Sequence, residues 1–332
     1  MPLQPSNSAV HINRPLTNIS IAFLQDQSMF VADKVLPNIP VQNQSDVYFT
    51  FDRGYFNSDE AQKRAPGTES AGGGYELSQD SYLCEKISFH KDIADEVRRN
   101  TDSPLDSDRN ATQYVTQKLL IRKEKEFADT FMATSVWTNE TSGANTDTTD
   151  EVVYWDDYVS SDPIVDVRRA KTTVHESTGF RPNLFVITQD VHDALMDHPD
   201  IIDRIKYTSS NNNPAMASTE LLAKLFEVKR VVVSGAIQNT ATEGATNAHS
   251  FIMRSKALLL YVPDAPVIEA PSAGYNFSWV GYNQGMNNLG VAMKRLRMEA
   301  LESDRIEGTM FYDMKVVSPD LGYFFNNVVE GV

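Results

Sequence analysis

The hydrophobic positions change period several times along the chain, and each change marks an element. The clearest helical pattern runs over residues 106–135, where Ala111, Val115, Leu119, Phe127 and Phe131 recur at multiples of four. Asp106, Ser107 or Asp108 can cap its start. No Gly or Pro interrupts it, and the run from Arg122 to Glu126 is expected to place charge mainly on the opposite face. At 1.5 Å per residue such a helix spans roughly 40 Å, long for a domain helix, and it has no heptad partner. A period of two appears earlier. The run VYFTFDRGYF alternates and is aromatic, as a strand should be. In YLCEKISFHKDI, Tyr82, Cys84, Lys86, Ser88 and His90 alternate with Leu83, Glu85, Ile87 and Phe89. Residues 46–92 therefore predict a long β-hairpin. Its connection contains Gln62 to Gly67 and the run Gly72-Gly73-Gly74, far beyond the usual two to five hairpin residues, so it is expected to project outward.

The remaining segments fill in around these two elements. Pro2, Pro5, Pro15, Pro37 and Pro40 make residues 1–45 an extended arm, with a short helix expected over 19–30. The stretch FVADKVLPNIPV within it is apolar but too broken to fold alone, so it must pack on other surfaces. Residues 138–151 read as a polar loop. Residues 161–290 read as a compact α/β unit: a helix from Pro163 to a stop at Gly179, short helices at 189–196, 201–207 and 219–226, and the apolar strands NLFVIT, VKRVVVSGA and KALLLYV. Long strands return over 290–318, and DLGYFFNNVVEGV is expected to dock on a sheet. There is no internal repeat.

Composition narrows the function. The 332 residues are ordinary globular material, with 41% hydrophobic and 23% charged residues. No run approaches the ~18–20 apolar residues of a transmembrane helix, and the start MPLQPSNSAVHINRPL lacks the apolar region of a secretory signal. A net charge of −15 argues against a sequence-independent nucleic-acid binder, which needs a basic face. The one cysteine, Cys84, excludes an internal disulfide.

Candidate chemistry is sparse. His192 and His198, with Asp190, Asp193, Asp197, Asp200 and Asp203 around them, are the densest group of metal-ligating types. On a helix, positions i and i+6 lie on opposite faces, so the spacing speaks for a solvated acidic helix pair over a metal site. Cys84 sits in a strand pattern with nothing to depress its pKa. Glu302, Asp304 and Glu307 read as solvated residues at a strand turn. The glycine run 72–74 has no strand–helix context for a phosphate cradle. No nucleophile, base and oxyanion donor assemble. The expectation is a non-enzyme with no cofactor and no metal.

An arm, a projecting hairpin, one lone long helix and an α/β unit would leave much apolar surface uncovered in a monomer, the mark of an interface. In this order the parts resemble the major capsid proteins of tailed bacteriophages, the Hong Kong 97-type fold. The resemblance is carried by FVADKVLPNIPV with YFTFDRGYF, by the helix beginning near Asp106, and by the tail DRIEGTMFYDMKVVSPDLGYFFNNVV. It implies an α+β fold with an N-terminal arm (1–45) and an extended loop (46–92) lying over the adjacent subunit. The peripheral domain would begin at 93–160 with spine helix 106–135 and be completed by strands 290–318. An axial α/β domain (161–289) and a C-terminal segment (319–332) returning to it make up the rest.

The implied function is self-assembly into pentamers and hexamers, closing an icosahedral head shell around double-stranded DNA. The acidic chain would surround that DNA while holding little of it. Intersubunit contacts are expected at Lys63, Arg64, Phe30, Tyr55 and Phe56. Some members of the family join a loop Lys to a neighbour's Asn by an isopeptide bond; Lys63 and Asn326 or Asn327 match by position, against the plainer reading of ion pairs from Lys63 and Arg64. A portal, a separate scaffold protein and a decoration protein are the implied partners, with no membrane. The implied location is the virion head, assembled in the host bacterial cytoplasm. The alternatives are an encapsulin-type cage holding enzyme cargo, another virion component such as a tail or decoration protein, and a metal-dependent hydrolase using His192 and His198.

Overall fold

The computed structural model describes residues 25–51, 53–101, 106–148, 151–208, 218–264, 271–281 and 291–331. Most of the arm, and with it most of the helix expected over 19–30, lies outside these; Gln27–Met29 forms one 3-10 turn capped by Asp26.

Two sheets and one long helix organise the described residues. The 14-residue strand Ser303–Val316 is the axis of a five-stranded sheet. Glu85–Ala94 and Ala292–Met298 run antiparallel to its first part, and Gly274–Trp279 antiparallel to its end. Asn38–Val41, from the arm, adds a parallel edge to Gly274–Trp279. The second sheet has six strands, in the order Glu151–Val153, Asn139–Ala144, Gly322–Asn326, Lys256–Leu260, Leu184–Thr188, Arg230–Ser234.

The helix Ser107–Phe131 packs between these sheets. Asp106 caps it, its carboxylate accepting from the N–H groups of Asp108 and Arg109. Its last turn is closed from outside: the Trp137 indole donates to the Phe131 carbonyl at 2.8 Å and the Lys256 ammonium to the Met132 carbonyl at 2.7 Å. The helix therefore ends four residues before the expected 135. Val115 and Leu119 meet Met310, Tyr312 and Met314 of the five-stranded sheet, while Phe127 and Phe131 join Leu184, Leu258 and Phe324 of the other. Gly308 permits the close approach: a Cβ there would lie 2.7 Å from Val115 Cγ1.

Alternate residues of the six-stranded sheet face opposite ways. Leu184, Val186, Leu258, Leu260 and Phe324 join the long-helix core. Phe185, Ile187, Ala257, Leu259 and Phe325 form a second core under the helices Pro163–Thr178, Gln189–Asp197 and Thr219–Leu225. Burial on both faces is why NLFVIT and KALLLYV read as continuous apolar runs. Pro163 opens its helix under an Asp162 cap and Gly179 closes it at φ +79°.

Three sequence expectations change. The return strand of the hairpin is split at Cys84. Leu77–Leu83 pairs with Ser45–Phe51, but Glu85–Ala94 leaves the hairpin for Ser303–Val316. Ile87 and Phe89 pack against the long-helix core, a surface the hairpin does not offer. Residues 138–151, read as a loop within the peripheral segment 93–160, carry the strand Asn139–Ala144, which pairs in parallel with Gly322–Asn326 of the six-stranded sheet; its polar composition hides it. Gly274–Trp279, read within the axial segment 161–289, belongs to the five-stranded sheet.

Candidate assembly surface

The hairpin is the most exposed part of the described chain. In its register Ser45 faces Leu83, Val47 faces Ser81 and Phe49 faces Gln79, so these side chains share one side of the ribbon. That outer side is apolar and open to solvent at Val47, Phe49, Leu77 and Leu83, Phe49 being 59% exposed. The inner side carries Tyr48 and Tyr82, which face the body of the subunit. Beyond the strands comes the short helix Arg53–Asn57 and a loop exposed throughout. Phe56 and Tyr75, 62% and 60% exposed, face each other with ring centroids 5.6 Å apart. A turn closes the tip: the Thr68 N–H and hydroxyl both donate to the Ala65 carbonyl, at 3.2 and 2.8 Å, and Gly67 takes φ +83°. Lys63 is exposed beside that turn, and Arg64 donates to the Thr68 carbonyl within it.

The arm is held by a polar node that the helical period did not reveal. Lys123 and Glu124 are buried, although the charged run 122–126 was expected on an outer face. The Glu124 carboxylate accepts the N–H groups of Val31 and Ala32 at 2.9 and 3.0 Å and the Ser234 hydroxyl at 3.2 Å. It thus ties the arm, the long helix and the six-stranded sheet together. Lys123 pairs with Asp33 of the arm and lies 4.9 Å over the Tyr312 ring. The Gln25 amide pairs with the backbone of Ile237 in both directions, as a strand would. Phe30, expected at an intersubunit contact, is instead buried in its own subunit against Leu120 and Ala236. Tyr55 and Phe56 are exposed.

Burial pushes the Glu124 carboxyl up to about 7, with the three donors and the nearby Asp33 as smaller influences. The folded state therefore holds this proton where the unfolded chain has lost it. Stability from this group is full below about 4.5 and falls, by an amount on the order of 3 kcal/mol, as pH rises to about 7. Glu124→Gln keeps one oxygen for the two N–H groups and an amide for Ser234. It should lose this decline: urea midpoints at pH 5 and pH 8 lie closer together than in the wild type. Parallel behaviour of the two proteins would exclude a buried, titrating Glu124.

The structure does not bring His192 and His198 together. His192 faces Asp193, at 3.3 Å. His198 is buried: its Nδ1 accepts the Asp200 N–H at 3.3 Å, and its Nε2 lies 3.1 Å from Ser161 Oγ. The Ser161 hydroxyl donates to the Asp157 carbonyl at 2.7 Å, so Nε2 carries the hydrogen and the ring is neutral. Burial, the dominant influence, lowers its pKa. Stability from this group is full above about 6.5 and is lost as pH falls below it. His198→Gln should cost about 1–3 kcal/mol at pH 7.5 and less at pH 5, measured by denaturant unfolding; an equal cost at both would contradict the neutral assignment. Among the described residues no group of three His, Cys, Asp or Glu could hold a metal ion.

Asp304 is likewise not a solvated turn residue. It is buried, paired with Arg98, with Arg295 at 2.5 Å and with Arg297 at 3.3 Å, and these arginines hold its carboxyl well below the usual range. Arg98 also reaches Asp108 in the first turn of the long helix, at 2.6 Å, joining helix to sheet. Cys84 is buried, and burial pushes its thiol up to about 11. Asn326 lies in the six-stranded sheet, and Asn327 follows at φ +51°. A cleft of about 300 Å³ between arm and sheet is lined by Lys34, Pro37, Asn183, Arg230 and Asp264 among others, with no Ser, Thr, Cys or His in its lining. No described helix is long and apolar enough to cross a membrane.

The described residues thus form a double-sheet body with a projecting ribbon whose outer side is apolar. Solved structures agree on the fold. A phage-related protein from Bordetella bronchiseptica matches with a TM-score of 0.66 at 19% identity, over 93% of this chain and 95% of that one. The capsid of Cyanophage P-SCSP1u matches at 0.61 and 11% identity, over 98% and 99%. An encapsulin complex from Synechococcus elongatus matches at 0.53 and 11% identity, over 99% and 98%. The fold is that of Hong Kong 97-type capsid proteins. Two curated relatives, both called major capsid protein, span the chain: that of Burkholderia phage BcepMu is 21% identical over 94% of this chain and 95% of its own, and that of Pseudomonas phage JBD67 is 24% identical over 98% and 99%. No family model matches the chain.

Proposed function

We propose that the protein is a major capsid protein, self-assembling into pentamers and hexamers that close an icosahedral head shell around the double-stranded DNA of a tailed phage. The observation that carries this is the end-to-end match to two phage major capsid proteins, joined to a fold whose hairpin exposes an apolar face that its own subunit leaves uncovered. Its role is structural and not enzymatic. The hairpin and its loop lie over the adjacent subunit, with Tyr55 and Phe56 in contact and with Lys63 and Arg64 paired to that neighbour's carboxylates. A denaturing gel of mature shells tests the ion-pair reading against a Lys63–Asn cross-link: a single band at the monomer mass supports the first, a ladder the second. Residues 1–45 act as the arm, residues 93–160 and 290–318 build the peripheral domain around the long helix, and residues 161–289 the axial domain, with the strand exchanges described above. A portal and a separate scaffold protein are the partners this reading implies, with a decoration or cement protein as a further candidate. Assembly takes place in the bacterial cytoplasm, and the product is the virion head.

The encapsulin reading has the match to the Synechococcus elongatus complex in its favour. Particle content separates the two. Purified particles holding DNA and bearing a portal support the head shell, whereas an enzyme cargo without DNA would replace it by the cage.

A further inference from the structure

The hairpin meets its own subunit through one small hydrophobic cluster, separate from the two large cores. Tyr82, Cys84, Tyr275 and Phe277 are buried there, with Tyr48 and Trp279 against them. Phe277, on the five-stranded sheet, is its centre. Its ring stacks on Tyr82 at 4.6 Å and 10°, and on Tyr48 at 5.6 Å and 29°. The two tyrosines come from opposite strands of the hairpin, on its inner side, so a single ring on the body engages both. The polar contacts lie at the root. The Leu83 N–H donates to Asp313 Oδ2 at 2.9 Å and the Cys84 N–H to the Gln44 carbonyl at 2.9 Å, while the Gln44 amide returns to the Cys84 carbonyl at 3.1 Å. Hydrogen bonds at a root fix where a ribbon leaves and let it pivot. Planar contacts with both strands, further out, remove the pivot.

We propose that Phe277 is the positioning residue that fixes the direction in which the hairpin leaves its subunit, and so aims the apolar outer face at the next copy in the shell. The consequence for assembly rests on the capsid reading; the seat itself does not.

Spin labelling tests it in a Cys84→Ala background, because Cys84 belongs to the same cluster and would be uncovered by a smaller residue at 277. Spin labels at Glu69→Cys, in the exposed loop, and Glu176→Cys, on the exposed side of the helix Pro163–Thr178, report hairpin direction in the unassembled full chain. Phe277→Ala should broaden the distance distribution at least about twofold, as a freed ribbon samples more positions. Tyr48→Ala, on the hairpin and outside both large cores, should broaden it too, and Phe277→Tyr should keep it narrow. Unchanged widths in both alanine variants would overturn the proposal, as would broadened variants that assemble at the wild-type rate. A wild-type chain that never enters a closed shell would remove the capsid reading, while the widths still decide the seat.

Discussion

Val115→Pro should yield no native subunit. Residue 115 is fully buried in the interior of the helix Ser107–Phe131, against Gly308 on the central strand of the five-stranded sheet. A proline there removes an intrahelical donor and collides with the preceding turn, at about 3 kcal/mol or more. The helix upstream of the break carries Ala111, in the small core with Ile93 and Ile306, and Asp108, held by Arg98. Displacing that turn also loosens the arginines gathered on Asp304. Against a total stability of about 5–15 kcal/mol, the combined loss leaves an aggregation-prone chain. Val115→Ala is the control: it removes buried volume for roughly 1–3 kcal/mol and keeps the helix. Far-UV circular dichroism and size-exclusion chromatography read both. Soluble, cooperatively melting Val115→Pro protein would contradict the role given to this helix.

Replacing residues 52–76 by Asn-Gly should leave the subunit folded and abolish shell formation. Phe51 and Leu77 are directly paired across the ribbon, so a two-residue turn can join them without strain. The loop from Ser58 to Glu76 is exposed throughout and belongs to none of the hydrophobic clusters; its removal should move the melting temperature by only a few degrees, about what 1 kcal/mol does. Assembly should suffer far more, because the replaced segment supplies Tyr55 and Phe56 from the short helix, and Lys63 and Arg64 from the loop, to the neighbour in the proposed shell. Electron microscopy of particle yield against wild type is the measurement. Shells of unchanged yield and stability would mean that the loop is not an intersubunit element.

Much of this architecture was legible because local signals agree with the tertiary structure. Pro163 and Gly179 bound one helix, and the period of four from Ala111 to Phe131 marks the other. The apolar runs around Phe185 and Leu258 are strands buried on both faces. What stayed hidden depends on partners far along the chain. Glu124 looks like any residue of a charged run until Val31, Ala32 and Ser234 supply its three donors. Asp304 looks solvated until Arg98, Arg295 and Arg297 close on it. Asn139–Ala144 has the composition of a loop and becomes a strand only beside Gly322–Asn326. Cys84 continues the alternation on both sides, so nothing local shows that the ribbon ends there. The candidate assembly surface was legible as a projecting hairpin with a long polar connection. Its apolar outer face and its seat on Phe277 needed the register. Phe30 shows the converse: an apolar arm residue that satisfies itself within the subunit.

The central claim is that copies of this chain tile a closed head shell. Electron cryo-microscopy of particles containing the chain tests it most directly. The expected result is an icosahedral shell of five-fold and six-fold rings of this subunit around packaged DNA, with the outer side of each hairpin, at Val47, Phe49 and Leu77, seated on the adjacent copy. Tubes, isolated surface knobs, or a shell filled with protein cargo in place of DNA would contradict it.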